Sequence, residues 1–141
     1  IHWLLIAVVT WLGALAPLSA EDLAYAQARF YQGKTIRLIV GFTPGGVYDQ
    51  YARILSRFMP KHIPGNPEII VQNMPGAGSL VASNYIYGVA KPDGLTLGMV
   101  SSGVYLDQLV GKQEVTYDVR KFVWIGSVDK RTEIEVSGVF S

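Results

Sequence analysis

The sequence has no cysteine in its 141 residues. That excludes disulfides, thiol catalysis, cysteine-based zinc sites and a lipid-bearing N-terminal cysteine. Histidine is nearly as scarce. His2 and His62 stand in unrelated contexts, so a histidine metal site or a histidine-based triad lacks its partners, and no metal-binding or catalytic residue is assigned. Only 16% of the residues are charged, the net charge is +1 and no basic block occurs, which speaks against a nucleic-acid partner. A full Walker-type phosphate loop is absent. The dinucleotide fingerprint also fails, because Gly76-x-Gly78 is followed by Val81 where a third glycine is needed. Ser102 has Val100 two positions before it, so it is not the serine of a nucleophile elbow. No cofactor is expected.

What the chain does have is hydrophobic residues, half of the total, and a recurring strand–glycine turn–helix pattern. Ile36, Leu38, Val40 and Phe42 alternate with Arg37, Ile39 and Gly41, and only Arg37 is polar. A strand buried on both faces, as in a parallel sheet, fits this best. The run stops at Thr43-Pro44-Gly45-Gly46, and a helical pattern follows in Tyr51, Ile54, Leu55 and Phe58, with Asp49 in the first turn. Strand, glycine turn and helix in that order aim backbone N–H groups at one spot beyond the strand's carboxyl end. The spot suits an anion without a cationic side chain, although the same geometry also serves as a plain turn.

The pattern repeats. Glu68–Gln72 reads as a short strand, ending in Asn73-Met74-Pro75-Gly76-Ala77-Gly78-Ser79, with Ser79 placed to cap a helix carrying Ala82, Ile86, Val89 and Ala90 on one face. Leu95–Val100 is a third strand, ending in Ser101-Ser102-Gly103, before a short helix with Tyr105, Leu106, Leu109 and Val110. Between these units, Pro60–Pro67 holds three prolines and a glycine and is a loop, with His62 at its surface, and Lys91-Pro92-Asp93-Gly94 is a turn. Three such units predict an open α/β sheet with its ligand at the carboxyl ends of the strands. Phe122–Val128 and Glu133–Val139 read as further strands.

At the N-terminus, Trp3–Leu15 is an uncharged apolar run, short of the roughly 20 residues that span a bilayer. With the small residues after it, it reads as a secretory signal peptide, with cleavage after Ala20, Ala26 or Ala28. The alternative is an anchor that stays attached. The expected division is 1–28 for the signal and cleavage region and 29–141 for a partial α/β ligand-binding domain. The chain begins without Met, so its true start is expected upstream.

Four pieces in order carry a more specific resemblance: Ile36–Asp49, Gln72–Ser79, Pro92–Leu97 and Tyr117–Gly126. Together they resemble the periplasmic solute-binding receptors of tripartite tricarboxylate transporters, the Bug-type receptors. The resemblance covers about residues 30 to 141. It implies a periplasmic-binding-protein-like (Venus flytrap) fold in which this chain supplies most of the first half of domain 1 and the start of the crossing strands, domain 2 being absent. It implies periplasmic localisation, a small organic carboxylate as ligand and the membrane components of the transporter as partners. It places the ligand at Thr43, Pro44, Gly45, Gly46, Val47 and Asp49, at Asn73, Gly76, Ala77, Gly78 and Ser79, and at Ser101, Ser102 and Gly103. Val47 departs from the small residue usual in the family, and a β-branched side chain resists a positive φ. Two other classes stay open: an enzyme whose glycine turns bind a phosphorylated or acyl substrate, tested by turnover of model esters or phosphates, and a ligandless sensor or interaction lobe, tested by calorimetry with dicarboxylates.

Overall fold

The computed structural model describes residues 19–128. The apolar run Trp3–Leu15 and the stretch Glu133–Val139 lie outside the described residues. Three strands, β1 (Thr35–Val40), β2 (Glu68–Asn73) and β3 (Thr96–Met99), form a parallel sheet in the order β2-β1-β3. Helix α1 (Ala20–Tyr31) precedes the sheet, α2 (Val47–Phe58) links β1 to β2, α3 (Leu80–Gly88) links β2 to β3, and α4 (Val104–Leu109) follows β3. This is the α/β sheet that the glycine-turn pattern predicts. No helix among the described residues is long and apolar enough to cross a membrane.

β1 is the central strand, and both of its faces are covered. Ile36, Leu38 and Val40 form a core with Ala52 of α2 and Ile69 of β2. On the other face Ile39 is fully buried, and its neighbour in register, Gly98, lies under Ile86 of α3. The two crossover helices therefore sit on opposite faces, as right-handed connections running in opposite directions require, one from β1 out to β2 and the other from β2 back across β1 to β3. Each fully buried Ile or Val contributes roughly 1.5–3 kcal/mol by leaving water. Arg37 meets this face by donating to Tyr85 Oη and Thr96 Oγ1, both at 3.2 Å.

The structure adds one element and corrects three expectations. First, residues 20–31, the span of the candidate cleavage points and of the approach to β1, form α1. Ser19 and Asp22 build a reciprocal cap: Ser19 Oγ accepts from Asp22 N–H at 3.2 Å, and the Asp22 carboxylate accepts from Ser19 N–H at 3.1 Å. Tyr31 then ties the helix to the first core. Second, of the residues read at helical spacing in α2, Leu55 packs against the core while Ile54 and Phe58 are 54% and 47% exposed; α2 buries Asp49 and Ala52, with Tyr48 packed beside them. Third, α3 ends at Gly88, so Val89, read as part of its buried face, is exposed. Fourth, Phe122–Val128 is not a strand. A 3₁₀ turn, Val119–Lys121, precedes it, and no strand among the described residues runs beside it to supply a ladder.

A second apolar cluster joins Leu80 of α3, Val104 of α4 and Tyr117, whose hydroxyl donates to Val104 O at 2.8 Å. It fixes α4, and with it the loop after β3, against α3.

Candidate functional site

Parallel strands bring their carboxyl ends to one edge, and the three glycine-bearing loops meet there. The chain leaves β1 toward α2 on one face, whereas after β3 it passes to α4, which packs with α3 on the other. β1 and β3 are adjacent and their loops pass to opposite faces, and in open α/β sheets the ligand crevice lies at such a position.

The first loop is a turn from Thr43 to Gly46. Gly45 takes the left-handed conformation (φ +85°) that the turn needs. Val47 is already helical, so the strain expected of a β-branched residue does not arise. Its side chain, 56% exposed, stands at the loop's rim. Phe42 and Tyr48 stack across the turn with ring centroids 4.2 Å apart.

Asp49 ties this loop down. It is 2% exposed, and its carboxylate accepts four hydrogen bonds. Gly45 N–H and Arg53 Nε–H donate to Oδ2, both at 2.8 Å, while Asn73 Nδ2 and an Arg53 terminal nitrogen donate to Oδ1 at 2.9 and 3.1 Å. Asn73 Nδ2 also donates to Phe42 O at 3.0 Å, so the end of β2 grips the first loop on both sides. The Arg53 guanidinium foremost, then Gly45 N–H and Asn73, hold the Asp49 carboxyl well below the usual carboxylate range.

The second loop turns on Ala77, Gly78 and Ser79, all left-handed (φ 46°, 62° and 80°). This tight reversal pushes Ser79 into the base of the crevice. Its hydroxyl, fully buried, donates to Gly41 O at 3.3 Å and accepts from Ser101 N–H at 3.0 Å. One side chain thus joins the ends of β1 and β3. Ser79 holds the cap position of α3, as read from the sequence, but its hydroxyl caps nothing because it is spent across the sheet. The absence of a side chain at Gly41 makes this possible: a Cβ there would lie 2.5 Å from Ser79 Cβ. In the third loop Ser101 Oγ accepts from Gly103 N–H at 3.0 Å.

Backbone donors at this edge divide into spent and unspent. Gly45 N–H goes to Asp49, Gly46 N–H to Thr43 O, Met74 N–H to Val40 O, Ser101 N–H to Ser79, and Gly103 N–H to Ser101. The N–H groups of Val47 and Tyr48, in the first turn of α2, have no intrahelical acceptor. Those of Gly76, Ala77, Gly78 and Ser102 have no acceptor among the described residues. Among the described residues the edge therefore offers neutral donors, and Arg53 beside it is paired with Asp49.

Several curated proteins are similar to this chain. It is 42% identical over 82 residues to the UPF0065 protein in the gbd 5' region of Cupriavidus necator, a match covering 58% of this chain and 24% of that protein. It is 36% identical over 94 residues to Protein BugT of Bordetella pertussis, covering 67% of this chain and 26% of that protein. The chain belongs to the Bug-type receptor family. To a third member, a UPF0065 protein of Bordetella bronchiseptica, it is 31% identical over 108 residues, covering 76% of this chain and 31% of that protein. The chain spans about a quarter to a third of the length of the curated relatives it matches. No family model matches the chain, and no solved structure does.

In this Bug-type chain the residues expected at the ligand separate into two groups. Thr43, Pro44, Gly45, Gly46, Val47, Ala77, Gly78 and Ser102 are exposed, with Gly76, Ser101 and Gly103 half-buried beside them. Asp49 and Ser79 are buried with their polar atoms committed, and the Asn73 amide is spent on Phe42 and Asp49. These three build the loops. Sequence reasoning missed Arg53, although its spacing of four from Asp49 on one helix was a readable signal. Gly33-Lys34-Thr35, the one tripeptide resembling a phosphate loop, lies at the amino end of β1, away from this edge.

Proposed function

We propose that this chain is the ligand-collecting part of a periplasmic solute-binding receptor, and that it captures a small organic carboxylate for the membrane components of a tripartite tricarboxylate transporter. It is a binding protein rather than an enzyme. The observation that carries this reading is the convergence, at the carboxyl edge of a parallel sheet, of three loops with unspent backbone N–H groups and no fixed positive charge. Membership of the Bug-type family supports it.

The chemistry suits capture and release. A hydrogen bond to a charged group contributes about 1.5–3 kcal/mol, and a helix terminus adds roughly 0.3–1 kcal/mol. Two or three neutral donors hold a carboxylate at about millimolar strength, near −4 kcal/mol. A second lobe closing over the solute, as in a Venus flytrap, would raise this by excluding water. The leading residues 1–28 serve as export signal and cleavage region in this reading, and 29–141 as part of the first lobe.

The test is a nuclear magnetic resonance titration of the isotope-labelled chain with lactate and with succinate. The expected result is saturable movement of the amide signals of Val47, Tyr48, Ala77, Gly78 and Ser102, with those of α1 unmoved. No movement at these amides with either acid at roughly 10 mM, well above the dissociation constant expected, overturns the reading.

A further inference from the structure

We propose that Asp49 and Asn73 are positioning residues of the carboxylate-receiving edge, which shape the first loop from behind and never touch the solute. The proposal rests on the receptor reading above. Asp49 is 2% exposed, so a solute at the loop's outer side does not reach its carboxylate. What the carboxylate reaches is the loop itself, through Gly45 N–H at 2.8 Å, and the end of β2, through Asn73 Nδ2 at 2.9 Å. Asn73 completes the brace by donating to Phe42 O, just before the turn. The turn is therefore fixed at its start by Asn73 and at its middle by Asp49, and it leads directly into the first turn of α2, where the N–H groups of Val47 and Tyr48 have no intrahelical acceptor.

The network also settles a problem of charge. A buried carboxylate behind an anion site repels the anion, and a low local dielectric strengthens the repulsion. Arg53 removes it. Its guanidinium grips Asp49 through two nitrogens while its side chain stays 58% exposed, so the pair is close to neutral as seen from the loop. Asn73 suits the central place because it donates without adding charge. An aspartate of the same shape would set a second carboxylate against the first.

That substitution supplies the test. In Asn73→Asp two carboxylates in contact must share a proton, so the pair takes one up well above the ordinary carboxylate range. The brace is broken while both are ionised, and its Asp49 half is remade by an O–H donor once the proton is bound, the one O–H being unable to donate to Phe42 O as well. Lactate, ionised throughout, is titrated into the whole chain at about pH 8 and about pH 5.5, with circular dichroism to confirm folding. The parent is expected to bind equally at both. Asn73→Asp is expected to bind about tenfold more weakly at the higher pH and to recover to within about threefold of the parent at the lower. Asn73→Ala, which removes the donor without adding charge, is expected to bind more weakly at both and decides the matter if Asn73→Asp does not fold. A folded Asn73→Asp or Asn73→Ala that binds lactate as the parent does at both pH values overturns the positioning role. If the parent itself shows no lactate response, the receptor reading has failed, and the positioning role falls with it.

Discussion

Replacing Ser79 by Ala separates a residue that builds the site from one that binds in it. The hydroxyl donates to Gly41 O at 3.3 Å and accepts from Ser101 N–H at 3.0 Å, and the residue is fully buried. Its loss leaves a half-buried N–H without an acceptor, which costs about 1–3 kcal/mol, and removes a longer, weaker bond to a carbonyl. For a unit of this size each kcal/mol lowers the melting temperature by roughly 4–8 °C. Ser79→Gly removes the same hydroxyl but relieves the left-handed backbone (φ 80°), a conformation that costs a residue with a side chain roughly 1–2 kcal/mol. Ser79→Ala is therefore expected to be the less stable of the two by about 1 kcal/mol, with both below the parent. Urea unfolding followed by circular dichroism measures both differences. If Ser79→Ala matches the parent within about 0.5 kcal/mol, the hydroxyl does not join β1 to β3, and the account of the crevice base fails.

Gly41→Ala is expected to destabilise by roughly 1–3 kcal/mol or more, because its Cβ would lie 2.5 Å from Ser79 Cβ at the same junction; thermal unfolding of the variant, alone and with Ser79→Gly, checks it, and the two losses should be less than additive, because Ser79→Gly removes the clashing atoms and leaves only Ser79 Cα, at 3.0 Å. Gly78→Val is expected to weaken carboxylate binding through the backbone, since Gly78 has open space around it but sits at φ 62°, so Gly78→Ala should show a smaller loss of the same kind in the lactate titration. Acid unfolding should report Asp49. Its carboxyl is held below its unfolded value by Arg53, Gly45 N–H and Asn73, so its contribution to stability is present above the unfolded carboxylate range, near pH 4, and is lost as the pH falls through and below that range. Asp49→Asn should accordingly flatten the decline of stability with pH on the acid side, and an unchanged acid limb would contradict the hydrogen bonds described.

The three strand–turn–helix units, their parallel pairing and the location of a candidate site were legible in the sequence, because each depends on local pattern. β1 could be read as doubly buried since its residues are apolar on both faces but for Arg37, and the glycine turns announce themselves by residue type. Family membership was legible for the same reason: four short motifs, each fixed by local backbone demands, in a fixed order. α1 was also written locally, in the Ser19–Asp22 cap, but the apolar run and small residues around it suggested another use.

What the tertiary structure decided is which of the expected site residues are exposed and which are buried against the protein. Asp49 reads as a helix-start carboxylate and Ser79 as a helix cap, since those are their nearest-neighbour roles. Beyond the local partners Gly45 and Arg53, Asp49 is held by Asn73, 24 residues away, and Ser79 is held by Gly41 and Ser101, 38 and 22 residues away; only the sheet order β2-β1-β3 brings those together. The buried face of α2 combines both: Tyr48, Ala52 and Leu55 follow a helical period onto the core, and four hydrogen bonds bury the Asp49 carboxylate beside them, which no hydrophobic period predicts. Phe122–Val128 shows the reverse case, where a strand-like composition stays irregular because a strand exists only beside another one.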